Sequence, residues 1–283
     1  LPIAQQARSL ASESANQAAT FDSLLLVGVC AADTGGLPTA MEAYADALRL
    51  AQAAGDPFRE GRVWQNLGVA LMYAGLYSEA INCFECVIAK AEHEPRLAAA
   101  TGRAYANIAL CRLNLDEIRY GLVAIEKAVE LSVDADTAES SLNRVILENN
   151  FTRLLLEANN FDAAKEHAKL ARLYANKSKL PRADISAAVA EGLAEVFSGQ
   201  LDVGITRLTK MLDRAKALKN NTREVLMALV KSFEFAGKPD LALIYLRQLL
   251  EQQSATQKQN VLQHVKLDLE KLHPAIEDET NAI

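Results

Sequence analysis

The stretch GRVWQNLGVALMYAGLYSEAINCFECVIAKA, residues 61–91, decides the fold that we predict for this chain. Apolar residues recur every three or four positions on both sides of Gly75, the spacing of two amphipathic helices joined by a tight turn. Gly68 and Ala80 are small enough for the two helix backbones to approach closely, with Phe84 filling the space beside them. Gly75 suits the turn because glycine adopts positive φ without steric cost. One hairpin cannot bury its own apolar face, so further copies are expected on both sides.

The same pattern recurs along the chain at a nearly constant interval. A small residue near the start of each second helix marks the copies, at Ala40, Ala80, Gly121, Ala163, Gly204 and Ala242. Successive intervals are 40, 41, 42, 41 and 38 residues, a regularity that chance does not maintain over six copies. The fourth copy departs most, since Phe151 takes the place of the small first-helix residue and His167 that of the aromatic residue. The sequence therefore predicts six helical hairpins.

Seven residues of the central hairpin carry a resemblance to a known family: Trp64, Leu67, Gly68, Gly75, Tyr77, Ala80 and Phe84. Their spacing resembles the tetratricopeptide repeat, and the resemblance covers about residues 21–253. The family's usual repeat has 34 residues; the longer interval here is similar to the long-repeat variety of bacterial signalling and regulatory proteins. The resemblance implies an all-α fold, a right-handed superhelical solenoid of about six hairpins with terminal capping helices.

The expected domain organisation follows from the extent of the repeats. Residues 1–20 are interpreted as an N-terminal capping helix or partial repeat, 21–254 as the six repeats, and 255–283 as a C-terminal helix and tail. Within 256–273, apolar residues at coiled-coil spacing indicate either a cap on the sixth hairpin or the start of a connector. A homodimer through this helix is a further expectation.

Composition and charge bound the classes of partner. The formal charge is −6 with no long run of Lys and Arg, so no nucleic-acid partner is expected. No uninterrupted apolar run reaches membrane length, so no membrane partner is expected either. Because the chain begins with Leu1, we interpret it as a processed chain or as part of a longer protein.

The cysteines do not form a recognisable metal or redox site. Cys83 and Cys86 make a CxxC, but it falls in the middle of a predicted helix, whereas a redox CxxC opens one. The four histidines lack the spacing of zinc ligands. We interpret the thiols as small apolar side chains in a reducing cytoplasm. Because enzyme motifs are also absent, we expect a non-catalytic protein without cofactor or metal.

Asparagines occupy one first-helix position in three successive repeats, Asn66, Asn107 and Asn149. In the family that this chain resembles, first helices line the concave groove. A side-chain amide offers both a donor and an acceptor, so a row of amides is suited to hold the backbone of an extended peptide. The alternative is that these asparagines bond to loops or neighbouring helices within the array.

The remaining candidate peptide-binding residues are mostly apolar: Gln65, Val69, Met72, Tyr73, Arg103, Leu110 and Glu148. An apolar concave face indicates a groove for hydrophobic side chains or an amphipathic helix. It is equally typical of a tightly wound superhelix that buries its own inner surface. The basic clamp by which chaperone-binding members of the family hold a terminal carboxylate is not matched, so a cochaperone is not expected.

The expected function is therefore a protein- or peptide-binding scaffold or sensor module, part of a larger signalling or regulatory protein. The alternative is a small-molecule or signal-peptide receptor. Such a receptor would relay a change of superhelical pitch to an output domain, such as a cyclic-dinucleotide enzyme or a DNA-binding domain.

Overall fold

A computed structural model of the chain describes residues 6, 9, 16–132, 137–218 and 222–251. These residues contain twelve α-helices and no strand, which confirms the all-α prediction. The helices are α1 (Gln17–Asp33), α2 (Leu37–Ala53), α3 (Pro57–Tyr73), α4 (Tyr77–Ala91), α5 (Ala98–Asn114), α6 (Ile118–Glu130), α7 (Ala138–Glu157), α8 (Phe161–Ser178), α9 (Pro181–Phe197), α10 (Leu201–Ala217), α11 (Arg223–Phe235) and α12 (Pro239–Glu251). The predicted C-terminal helix and its homodimer contact lie outside the described residues, as does most of the predicted N-terminal cap.

The chain divides into two compact units, of which the first contains α1–α5 and the second α6–α12. The division falls between Leu115 and Asp116, inside the third predicted hairpin. Within each unit consecutive helices pack together, and first helices also pack on first helices: α1 on α3 and α3 on α5 in unit 1, α7 on α9 and α9 on α11 in unit 2. The first helices therefore form a layer of their own in each unit.

Small residues stand where the helices of a hairpin cross, as predicted. A Cβ added at Gly68 would come within 2.7 Å of the Phe84 ring, and one added at Gly192 within 2.7 Å of Leu208. Both distances are shorter than real Cβ contacts, so a larger residue would force the helices apart. Ala80 is completely buried at the same crossing.

Each hairpin turn contains one residue with positive φ, at Gly35, Gly75, Asp116, Asn159, Gly199 and Gly237. The prediction for Gly75 is confirmed, since its φ is +83°. Two hairpins use Asp116 and Asn159 instead of glycine, and short polar side chains are the ones that tolerate this conformation best. The turn residue gives a marker of repeat position that does not depend on side-chain size.

This marker corrects the alignment of the fourth hairpin by one residue. In the other five hairpins the small second-helix residue follows the turn residue by five positions, and from Asn159 that count leads to Ala164. Ala164 is completely buried, whereas the predicted Ala163 is only half-buried. The same count places the fully buried Thr152, instead of Phe151, at the position of Gly68. The structural equivalent of Asn66 is therefore Asn150, one residue after the predicted Asn149.

Candidate functional site: two faces of the first helices

Unit 1 has a surface on its first helices that the other described helices leave uncovered, which we call the open face. We define it by Asp22, Leu26 and Val29 of α1, Arg62, Gln65, Asn66, Val69 and Tyr73 of α3, and Arg103, Asn107 and Leu110 of α5. All of these side chains are half-buried or exposed. A guanidinium nitrogen of Arg62 lies 3.0 Å from a carboxylate oxygen of Asp22, 40 residues earlier in the chain. Equivalent positions of α1 and α3 therefore lie side by side.

Two predicted asparagines lie on the open face. The side-chain amide of Asn66 donates to the backbone carbonyl of Arg62 in its own helix, at 2.7 Å. That bond orients the amide and leaves its carbonyl oxygen and second N–H for another partner. Asn107 occupies the equivalent position of α5 and is also half-buried. Beside Asn66, the buried side-chain oxygen of Gln65 has no hydrogen-bond partner among the described residues.

Apolar and charged side chains surround the amides. Val69 and Leu110 are half-buried at equivalent positions of α3 and α5, and Tyr73 is 69% exposed at the end of α3. Arg103 is exposed at the start of α5. Met72, also predicted for this surface, is buried and contributes little to it. The open face thus combines a central amide pair with apolar contact area and a cation.

In unit 2 the corresponding surface is closed on α9 and on the parts of α7 and α11 beside it, and we call this closed part the filled face. It consists of Asn149, Asn150 and Leu156 of α7, Ser186, Val189, Ala190, Leu193 and Val196 of α9, and Ala228 of α11. Every one of these residues is buried. The prediction left open whether the inner surface is an accessible groove or fills itself. Unit 1 follows the first description and α9 of unit 2 the second, whereas Met227 and Phe235 at equivalent positions of α11 are not buried.

Asn149 bonds to neighbouring first helices rather than facing solvent. It is 1% exposed, and its amide nitrogen donates to the Ser186 hydroxyl at 3.0 Å and to the Glu224 carboxylate. The Ser186 hydroxyl also donates to Glu224, at 2.9 Å. These three residues, which we call the polar clasp, join α7, α9 and α11. For Asn149 the structure thus shows the alternative interpretation, a bond within the array.

Glu148, the other predicted site residue of α7, is also enclosed. It is completely buried, and its carboxylate accepts a hydrogen bond from the Arg144 guanidinium at 2.8 Å. Its second oxygen lies 2.6 Å from the Nδ1 atom of His167. These contacts give the buried carboxylate hydrogen-bond partners and join α7 to α8. Sequence reasoning placed Glu148 on the surface because the misaligned fourth repeat put it at a groove position.

Small side chains explain why the filled face is closed. Ala190 of the filled face packs in one cluster with Val145 of α7 and with further alanines of α8 and α9. At the positions where α3 carries Arg62 and Asn66, α9 carries Ser186 and Ala190. Short side chains allow the first helices to pack without solvent between them. Long polar side chains hold the helices further apart and leave that surface accessible to water.

The outer side of unit 2 has a cleft of about 660 Å³, lined by α10 and by parts of α8 and α9. A chain of ion pairs crosses it. Arg172 binds Glu191 with a nitrogen–oxygen distance of 2.7 Å, and Arg207 binds Glu195 at 2.6 Å and Glu191 at 3.1 Å. Hydrogen bonds to these carboxylates raise the pKa of both arginines. Arg172 and Arg207 of the cleft are thus already paired with the chain's own acids, and these ion pairs join helices.

Two further sequence interpretations concern metals and thiols. Cys83 and Cys86 are buried inside α4 and Cys111 inside α5, and no cysteine is part of a disulfide among the described residues. Burial raises the pKa of the Cys111 thiol to about 12, so that thiol is neutral and unreactive. In the described parts of the chain, no group of three His, Cys, Asp or Glu side chains is placed to hold a metal. None of the helices described is both long enough and apolar enough to cross a bilayer.

Comparison with known proteins supports the fold. The chain is similar to the crystal structure of the apo form of RapI, at 13% identity and a TM-score of 0.56, over 96% of this chain and 82% of that one. The fold is that of a tetratricopeptide-like repeat protein. A tetratricopeptide repeat protein from Parabacteroides merdae is similar at 12% identity and a TM-score of 0.46, over 88% of this chain and 98% of that one. No protein-family model and no curated protein matches the sequence.

Proposed function

We propose that this protein is a non-catalytic binding module and that the open face of unit 1 holds a peptide segment of a partner protein. The observation that carries the proposal is the contrast between the two faces. In unit 2 the first helix α9 buries five of its six residues on this surface, yet on α3, its counterpart in unit 1, amides and apolar side chains remain accessible. Accessible apolar area beside oriented amides is the composition of a peptide-binding surface.

The roles of the individual residues follow from their chemistry. The amides of Asn66 and Asn107 would bond to the peptide backbone, which requires no particular peptide sequence. Val69, Leu110 and Tyr73 would contact apolar side chains of the peptide. A cytoplasmic location is part of the proposal, supported by buried cysteines that form no disulfide.

The test is selection of binders from a random peptide library displayed on phage, followed by fluorescence titration of the selected peptides. We expect the Asn66→Leu/Asn107→Leu variant to lose at least about tenfold in affinity, since each lost amide removes about 1 kcal/mol or more. Asn82→Leu is the matched control, because Asn82 is exposed on the second helix α4 of the same unit. Equal affinities for wild type, variant and control would remove the open face as the binding site.

A further inference from the structure

One row of the open face carries all three of the charged residues that define it. Asp22, Arg62 and Arg103 occupy equivalent positions near the beginnings of α1, α3 and α5. Asp22 and Arg62 neutralise each other through their 3.0 Å contact. The guanidinium of Arg62 also lies 5.4 Å from the centre of the Phe21 ring, which holds it in place. Two of the three charges in the row are therefore engaged with each other.

Arg103 is the exception in this row. It is exposed, and among the described residues no carboxylate pairs with it. The guanidinium is permanently charged and presents donors that match a carboxylate. Within unit 1, it is thus the cation of the open face that remains available to a ligand.

The surroundings of Arg103 define what a ligand would meet next. Asn107 and Leu110 follow it by four and seven residues on the same helix, so the three side chains lie in one stripe of α5. The stripe is about 10 Å long at 1.5 Å per residue. Val69 of α3 occupies the position equivalent to Leu110 and continues its apolar surface onto the neighbouring helix. A cation, an amide and an apolar shelf therefore follow one another within the length of a few peptide residues.

We propose that the open face selects an extended segment in which an acidic side chain adjoins apolar ones, with the Asp or Glu carboxylate bound to Arg103. The peptide backbone bonds to Asn107 and Asn66, and the apolar side chains lie against Leu110 and Val69. This assignment rests on the proposed peptide-binding function and adds the charge of the ligand to it. A basic segment is excluded because it would bring a second cation to Arg103 without a counter-charge.

The test is a charge exchange between protein and peptide. The probes are three fluorescein-labelled peptides with acetylated and amidated ends, which share their leucines and differ only in carrying Glu, Gln or Lys at the remaining positions. We expect wild type to bind the Glu peptide about tenfold more tightly than the Lys peptide, because attraction and repulsion both contribute. Arg103→Glu should reverse the order, and Arg103→Gln should abolish the difference. Blocked peptide ends ensure that a terminal carboxylate is not what binds.

Arg49→Glu is the matched control, since Arg49 is exposed on the second helix α2 of the same unit and the substitution makes the same change of charge outside the open face. It should leave the preference for the Glu peptide unchanged. Equal affinities of the three peptides for wild type, or an unchanged order in Arg103→Glu, would overturn the charge assignment. Library peptides that need Asn66 and Asn107 but lack acidic residues would overturn it too, and would leave the peptide-binding proposal standing. A library that yields no binder would overturn both.

Discussion

Helices α3 and α9 hold the same place in the two units, each being the middle one of the first helices that pack together, yet their surfaces are opposite. Six positions of the repeat lie on this surface, and α3 fills them with Arg62, Gln65, Asn66, Val69, Met72 and Tyr73. Of these residues only Met72 is buried. The equivalent residues of α9 are Ser186, Val189, Ala190, Leu193, Val196 and Phe197. All of them are buried except Phe197, which is half-buried. The repeat pattern is common to both helices, because Gly68 and Gly192 make the same close crossing within their hairpins.

The difference shows that packing within a hairpin and packing between hairpins are specified separately. Residues such as Gly68 and Phe84 determine the hairpin, and they recur throughout the chain. Side-chain length on the opposite side of the first helix determines whether the next hairpin closes over it. An array of this kind is therefore able to keep one fold while varying where it leaves surface for a ligand.

The largest expected difference in the free energy of unfolding is between two variants that each place a charge at the same repeat position, one on the filled face and one on the open face. Leu193 of α9 is 3% exposed, so Leu193→Asp buries an unpaired carboxylate and should lower the free energy of unfolding by about 3 to 5 kcal/mol. Val69→Asp, at the equivalent position of α3, should cost about 1 kcal/mol or less because the carboxylate remains hydrated. Urea unfolding followed by circular dichroism measures both. Similar losses for the two variants would contradict the division into an open and a filled face.

A smaller difference in the free energy of unfolding is expected when an asparagine is replaced in the polar clasp and on the open face. Asn149→Ala would leave Ser186 and Glu224 without their shared donor in a buried site, at a cost of about 1 to 3 kcal/mol. Asn66→Ala should cost less than about 1 kcal/mol, because its amide bonds only to its own helix and is accessible to water. Amide hydrogen exchange measured by mass spectrometry should show faster exchange in α7, α9 and α11 for the first variant alone. An equal response to both variants would argue against the clasp.

Exchanging turn residues between units tests whether the hairpins are interchangeable. Gly75 has a φ of +83°, so Gly75→Ala should cost about 1 to 2 kcal/mol. Gly75→Asn should cost less, because Asn159 already occupies the equivalent turn of unit 2 with a φ of 57°. Thermal unfolding of the two variants gives the comparison. If Ala and Asn were tolerated equally at position 75, positive φ would not be what the turn requires.

The last prediction concerns the reactivity of the thiols, all four of which belong to unit 1. The native pKa of Cys111, raised to about 12 by burial, exceeds the value of about 8.5 expected in the unfolded chain. The folded form therefore binds the proton more tightly. This contribution to stability is complete below about pH 8.5 and is lost as the pH rises toward 12. Alkylation by iodoacetamide at pH 8, followed by mass spectrometry, should modify Cys30 before the three buried cysteines; rapid labelling of Cys111 would contradict its burial.

Because all four cysteines lie in unit 1, alkylation by iodoacetamide also measures how far Val69→Asp destabilises that unit. Val69→Asp should accelerate alkylation of Cys83, Cys86 and Cys111 in proportion to its small effect on stability.

The repeat interval, the small residues at the hairpin crossings and the glycine turns were predictable because each depends on a few residues close together in sequence. Asn66 and Asn107 were identified for the same reason, since counting along a regular repeat gives their positions. The count failed once, in the fourth hairpin, where the interval from the third copy is 43 residues instead of the predicted 42. Asn159 was the available signal, because asparagine is favoured at positive φ.

The sequence by itself determined the all-α repeat fold of this protein and the candidate amides of unit 1, because helix periodicity and turn chemistry are local properties. Only the tertiary structure decided which face is open. Burial of Asn149 depends on Ser186 and Glu224, which lie 37 and 75 residues further along the chain. Whether a side chain meets water or a neighbouring helix depends on how closely those helices approach, and that distance is set by the combined size of side chains from several repeats.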